Sequence, residues 1–358
     1  MQALPAGCMR IVPHGQSPQA ASLAPPPEGP MSIAPYIKEI GRGKDGARPL
    51  SAEQAYDLFS QVLDGQASDV QIGAFCVAMR IKGEAIEELE GFVQATQARC
   101  LPLPQAAAAA RTHAVGGIVV LPSYNGARKL PNLTALLAAV LARRGLSVLV
   151  HGSTTDPTRV TSAQVFAAAQ LPVVQTDAEL ARAWQAGKPA FMAIDILCAP
   201  LARLLAVRWD IGLRNPGHTV AKLIDPFLNH PEQSAPSVRV VNHTHPEYAH
   251  SLTGYLQHSR AHALLMRGTE GEPVADARRQ PRFDVFIGGE PDANLSRAPV
   301  EGVLTKLPDL PAGFEADVTA RYIQAVLAGE QPLPDAIDAQ ASCLIQALAR
   351  AGSADAAD

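Results

Sequence analysis

Leu50–Phe92 reads LSAEQAYDLFSQVLDGQASDVQIGAFCVAMRIKGEAIEELEGF, and its punctuation is helical. Ser51 with Gln54 three residues on is the pattern of a capping box, in which the hydroxyl and the amide each satisfy an orphan backbone N–H. Ser68 with Gln71 repeats it. Gly65 and Gly83 stand where helices stop, because glycine enters the left-handed region without strain. Between the first start and stop, Ala55, Leu58, Phe59, Val62 and Leu63 recur at the spacing of one helix face. A third helix is predicted from Ala85 to Arg99, with Ile86, Leu89 and Val93 on one side. Residues 31–104 therefore read as a small helical domain.

Downstream the pattern changes. Gln105 to Ala110 reads as a low-complexity linker. Short apolar runs then alternate with helical stretches. The runs are Gly117–Leu121, Leu146–Val150, Ala190–Ile194, Val238–Val241, Ala263–Met266 and Asp284–Ile287, and helices such as Asn132–Arg144 and Pro246–Gln257 lie between them. This alternation predicts an α/β domain over residues 105–351 with a mostly parallel sheet. Two helical stretches within 199–228 are expected to pack back on the helical domain. Residues 1–30 are rich in Pro, Ala and Gln, read as a disordered extension, and make Met31 the expected natural start. Residues 352–358 read as a flexible tail.

Apolar residues make up 47% of the 358 and charged residues 18%, enough for a real core. The five cysteines, Cys8, Cys76, Cys100, Cys198 and Cys343, form no C-x-x-C pair, which argues against a zinc site or a disulfide framework and fits a reducing cytoplasm. No apolar run reaches membrane-spanning length. The net charge of −4 means that any polyanion partner must meet a local basic surface.

The helical segment resembles the N-terminal domain of anthranilate phosphoribosyltransferases and the related pyrimidine nucleoside phosphorylases. The resemblance rests on the Gly65–Ser68–Gln71 spacing, the Ala74-Phe75 pair, and Arg80-Ile81-Lys82-Gly83-Glu84 followed by Glu87-Glu88. Weaker matches continue in order to about Gly289. The resemblance implies an anthranilate phosphoribosyltransferase-like fold, a helical bundle plus a mostly parallel central sheet flanked by helices. It also implies an active site in the cleft between the two and a homodimer formed through the helical domain.

The cleft motifs that the resemblance brings with it are eroded. The phosphate loop is LPSYNGARKLPNLTALLA, keeping Gly126, Asn132 and Thr134 but gaining Arg128 and Lys129. Bulkier groups at the other glycine positions crowd a loop that should wrap a diphosphate with its backbone N–H groups. The Lys-His-Gly-Asn motif survives as His151 and Gly152, with Val150 at the lysine position, so His151 reads as structural. The carboxylate pair that holds magnesium falls on Pro273-Val274, and neither can ligate a metal. Glu270, Glu272 and Asp276 lie nearby as substitutes in principle. No cofactor is therefore expected. His243, His245 and His250 in NHTHPEYAH include a His-x-His that can ligate a metal, but the stretch reads as a strand-to-helix turn with Pro246 near the first helical turn.

The segment LCAPLARLLAVRWDIGLRNPGHTVAKLIDPF carries Arg203, Arg208, Arg214 and Lys222. Arg208 and Arg214 match ligand-binding positions of the transferases. Together with Arg128, Lys129, Arg143 and Arg144 they form the expected basic patch for phosphate backbones, with Tyr124 and Trp209 as the nearby aromatics for base stacking. LPSYNGARKLPNLT, RWDIGLRNPGHTVAKL and MRGTEGE in combination resemble the YbiB-type branch of the superfamily, which implies DNA or RNA binding with little sequence preference and no transferase activity. The alternatives are an active glycosyl- or phosphoribosyltransferase on an unidentified substrate, and a scaffold whose dimer interface is its function.

Overall fold

The computed structural model describes residues 32–43, 45–112, 116–228, 235–303 and 307–355. The expected disordered extension, residues 1–30, and Met31 lie outside the described residues.

Both capping boxes form. Ser51 Oγ accepts from Gln54 N while Gln54 Oε1 accepts from Ser51 N, starting the helix Ala52–Leu63. Ser68 and Gln71 start Asp69–Lys82 in the same way. The third helix is Ile86–Gln97. These helices close over Phe59, Phe75 and Phe92. Phe59 and Phe92 stack at 4.6 Å, and Phe75 stands edge-on to both. The RIKGE motif gains a physical role here. The buried carboxylate of Glu88 accepts from Leu50 N at 3.0 Å and Ala85 N at 2.8 Å and pairs with Lys82. It thus joins the entries of two helices to the end of another.

The remainder is an eight-stranded sheet. Its strands are β1 (Ile118–Ser123), β2 (Ser147–Gly152), β3 (Val173–Val174), β4 (Ala190–Ala193), β5 (Ser237–His243), β6 (Ala263–Arg267), β7 (Phe283–Ile287) and β8 (Glu290–Pro291). They lie in the order β3-β4-β2-β1-β5-β6-β7-β8. The pairs from β3 to β6 are parallel, while β7 runs antiparallel to β6 and carries β8 as a short hairpin. The central strands are buried along their whole length, as a sheet covered on both faces requires. One face joins its core to the helical domain. The other lies under the helices Thr134–Arg143, Ser162–Ala168, Ala316–Ala328 and Asp335–Asp355.

Two expectations need correction. Gln105–Ala110 is not a linker: Pro104–Arg111 is a helix that buries Ala106, Ala107, Ala109 and Ala110. Alanine is the strongest helix former, and its small side chain lets this helix pack closely. The tail does not begin at Gly352, because the last helix runs on to Asp355. Residues 199–228 hold Ala199–Ala206, Arg208–Ile211 and Gly217–Val220, of which the first packs on Ala52–Leu63 and the last on Ile86–Gln97 of the helical domain.

Candidate functional site

The C-terminal ends of β1, β2, β5 and β6 open toward the helical domain. That edge is where ligands bind in parallel α/β sheets, because the connecting loops diverge there. The loop after β1 is the phosphate-loop remnant. It faces the loop after β6, and a carboxylate from that second loop fills it. Glu272, buried to 1% exposure, accepts from Asn125 N at 2.8 Å and Gly126 N at 2.7 Å. Its second oxygen receives the Ser123 hydroxyl, the Ser162 hydroxyl at 3.2 Å and the Asn132 amide at 3.2 Å, with Thr134 Oγ1 at 3.5 Å. Two backbone N–H groups, hydroxyls and an amide converging on one point form an anion cradle. Here the anion is the chain's own.

Glu270 repeats the arrangement one turn away. One of its oxygens accepts from the backbone N–H groups of Arg128, Lys129 and Leu130 at 2.8, 3.0 and 3.1 Å. Burial pushes this carboxyl up, but the three N–H bonds outweigh burial and hold it below the usual carboxylate range. The approach of the two loops depends on Gly271. Its φ is +88°, and a Cβ there would stand 1.8 Å from Asn125 Nδ2.

The possible metal donors near these loops are engaged elsewhere. Pro273 and Val274 offer no side-chain ligand, and the Pro273 carbonyl accepts from Gln340 Nε2 at 3.1 Å. Glu270 and Glu272 point at N–H donors that a cation would repel. Asp276 is bound by Arg278 at 2.7 Å. Among the described residues no group of three or more His, Cys, Asp or Glu side chains is placed to hold a metal. The residues present do not fit a magnesium–diphosphate complex.

His151 faces the interior. It is buried at the end of β2 with Nδ1 2.7 Å from the Tyr124 hydroxyl, and burial lowers its pKa to about 3. Gly152 follows it because a Cβ there would lie 1.7 Å from the Ser123 carbonyl oxygen. Tyr124 is 6% exposed and cannot offer its ring to a base, which corrects that expectation. Trp209 is 54% exposed, with the Arg208 guanidinium 4.2 Å over its ring.

The expected basic patch divides into groups. Arg208, Arg214 and Lys222 face the cleft. Arg214 donates to Asn125 Oδ1 at 2.8 Å and Lys222 to Asn242 Oδ1 at 3.0 Å, while Arg208 lies 3.8 Å from Asp156. Arg128 and Lys129 are exposed on the loop whose backbone holds Glu270. Arg143 and Arg144 are elsewhere. They end the helix that leads into the start of β2, at the opposite edge of the sheet, and bind Leu327 O, Asp338 and Ser342. Arg203 donates to Leu63 O at 3.0 Å and closes the end of the first long helix. Sequence reasoning missed Arg159, which donates to Gly126 O at 3.2 Å, and Arg80, which reaches the Tyr248 hydroxyl at 3.3 Å. Both line the cleft. Arg80 was visible in the RIKGE motif, but nothing local shows which way it faces.

Two cavities share Asn125 and His218 in this cleft. One, of about 440 Å³, lies between the helical domain and β5. The other, of about 290 Å³, lies over the β1 and β2 loops beside Arg208 and Trp209. Burial, then the neighbouring Arg214 and Arg208, lower the His218 pKa to about 3, so it stays neutral at physiological pH.

The helical bundle domain of the glycosyl transferase family matches residues 34–100. The chain is 35% identical over 324 residues to the Escherichia coli K12 protein YbiB, covering 90% of this chain and 96% of that one. It is 26% identical to an anthranilate phosphoribosyltransferase of Symbiobacterium thermophilum, covering 82% of this chain and 81% of that one. Among solved structures, the anthranilate phosphoribosyltransferase of Thermus thermophilus superposes with a TM-score of 0.64 at 20% identity, covering 88% and 93% of the two chains. The Saccharomyces cerevisiae enzyme in complex with phosphoribosyl diphosphate and magnesium gives 0.61 at 14% identity, covering 90% and 92%. No helix among the described residues is long and apolar enough to cross a membrane.

Proposed function

Because this chain belongs to the anthranilate phosphoribosyltransferase superfamily, in its YbiB-like branch, we propose that it uses the inherited cleft to bind DNA or RNA through the phosphate backbone, with little sequence preference. One observation carries the reading. The phosphate loop is filled by Glu272, while Arg214 and Lys222 beside it hydrogen-bond to the amide oxygens of Asn125 and Asn242 and, among the described residues, form no direct ion pair. A site that supplies its own anion has no place for a diphosphate, yet its rim keeps cations available to a longer polyanion. Arg80, Arg159 and Arg208 extend that rim, and Trp209 gives one exposed ring for stacking. A local cluster of this kind acts by counterion release whatever the overall charge.

The homodimer belongs to the same proposal. The helix Asp69–Lys82 leaves Val70, Ala74, Val77 and Ile81 on its outward side, with Val70 82% and Ile81 63% exposed. Apolar residues at this spacing form a stripe suited to a second copy. Pairing through it would present two clefts to one strand and add avidity.

The test is fluorescence anisotropy with a single-stranded oligonucleotide over a salt series. With about four phosphates neutralised on a single strand, affinity should fall by about 50-fold between 50 and 200 mM salt. Arg208→Glu with Arg214→Glu should abolish most of it. Affinity that ignores salt, or no binding at low salt, refutes the reading. The transferase alternative requires phosphoribosyl diphosphate to bind with magnesium, and its loop donors are already committed to Glu272.

A further inference from the structure

The larger cavity has two unlike ends. At one end stand Arg214 and Lys222, tied to Asn125 Oδ1 and Asn242 Oδ1 and to no carboxylate among the described residues. Asn242 is buried to 1% exposure, and its Nδ2 has no hydrogen-bond partner. Two cations in a partly buried pocket call for an anion with several acceptor oxygens, because a buried charge without a counter-charge is costly. At the other end Met79, Pro216, Tyr248 and Leu252 make an apolar wall. Met79 and Leu252 are buried, and Tyr248 is half-buried with its hydroxyl held by Arg80. The volume of about 440 Å³ lies in the range of sites for small organic ligands.

The nearby carboxylates are engaged elsewhere: Glu272, whose charge acts on both cations, is taken up by the phosphate-loop N–H groups, and Asp156, which acts on Arg214, lies beside Arg208. Glu270 is engaged by three backbone N–H groups. Burial pushes the Glu84 carboxyl above its ordinary pKa and weakens its claim on the cations.

We propose that this cavity binds a nucleoside monophosphate group, with the phosphoryl oxygens on Arg214 and Lys222 and the base against Pro216, Tyr248 and Leu252. Such a group has two sources, the phosphorylated end of a nucleic-acid strand or a free mononucleotide. The first source rests on the nucleic-acid reading above, and the second does not. A strand end would enter the cavity while the following phosphates run along the basic rim.

The experiment uses the full chain. Adenosine 5′-monophosphate, adenosine and inorganic phosphate are titrated separately by calorimetry at low salt. The nucleotide should bind at least tenfold more tightly than either fragment, because the cavity engages both halves. Lys222→Met and, separately, Arg214→Gln should each cost at least tenfold, and Tyr248→Ala several-fold. The two cation variants guard against either one failing to fold. Nucleotide affinity no better than that of adenosine or phosphate, or unchanged in the folded Lys222→Met or Arg214→Gln protein, overturns the proposal. In parallel, anisotropy compares 5′-phosphorylated, 3′-phosphorylated and unphosphorylated oligonucleotides. Tighter binding of a phosphorylated strand assigns the cavity to chain ends, whereas equal binding with a positive nucleotide titration assigns it to free mononucleotide. If no oligonucleotide binds, the nucleic-acid reading fails, and the nucleotide titration still decides the cavity.

Discussion

Replacing Glu272 by Ala tests whether the phosphate loop is held by its internal anion. In the native protein one carboxylate oxygen takes the N–H groups of Asn125 and Gly126 at 2.8 and 2.7 Å, and the other takes hydroxyl and amide donors. Hydrogen bonds to a charged group contribute about 1.5–3 kcal/mol each, so the two backbone bonds alone amount to about 3–6 kcal/mol. Part of that is offset because the variant no longer buries a carboxylate. A net loss of about 3 kcal/mol follows, which at about 2–3 kcal/mol per molar urea lowers the unfolding midpoint by about 1 M. The second arm is specific to the mechanism. The freed donors form an additional open anion site, so inorganic phosphate should stabilise the variant more than the native protein. At tenfold above its Kd, phosphate would return about 1.4 kcal/mol. An unmoved urea midpoint, or equal stabilisation of both proteins by phosphate, would refute the reasoning.

Further outcomes follow from other contacts. Gly271→Ala should destabilise by more than about 2 kcal/mol in urea titration, since it adds left-handed strain to a contact of 1.8 Å with Asn125. Arg143→Ala and Arg144→Ala should leave oligonucleotide affinity within twofold, because both side chains sit at the far edge of the sheet; a larger loss would return them to the patch. Burial, then the nearby Arg214, lower the Lys222 pKa to about 8, so nucleotide affinity should fall as pH rises through about 8 and lose its pH dependence in Lys222→Met. The sign of the stability effect is opposite. Between about 8 and the ordinary 10.5 the unfolded state binds more protons, so stability from this group rises with pH across that window.

The helical domain was legible because its signals are local. Ser51 with Gln54 and Ser68 with Gln71 each act over three residues, and the structure reproduces both boxes. The strands were legible as apolar runs, but the antiparallel turn of β7 was not, since periodicity carries no direction. The alanine run at 105–110 was misread because low complexity resembles a linker until the surface it packs against is known. In the site, it was visible residue by residue that Pro273-Val274 offers no side-chain ligand. The replacement anion was not, because Glu272 meets Asn125 and Gly126 across a separation of nearly 150 residues that only the placement of β1 and β6 on either side of β5 makes short. The division of the arginines failed for a similar reason. Arg143, Arg144 and Arg208 all sit in apolar helical stretches, and only the sheet's polarity tells which edge each one reaches.

The helix Asp69–Lys82 has two audiences. Met79 and Arg80 look inward and form part of the ceiling of the larger cavity, whereas Val77 and Ile81 on the same two turns look out to solvent. A rigid rod cannot shift one side and keep the other still. Whatever seats itself on the outer side would therefore alter the headroom beneath, and a guest underneath would alter the fit of a neighbour outside by the same free energy. Self-association and occupancy of the cleft would then be read as one thermodynamic quantity.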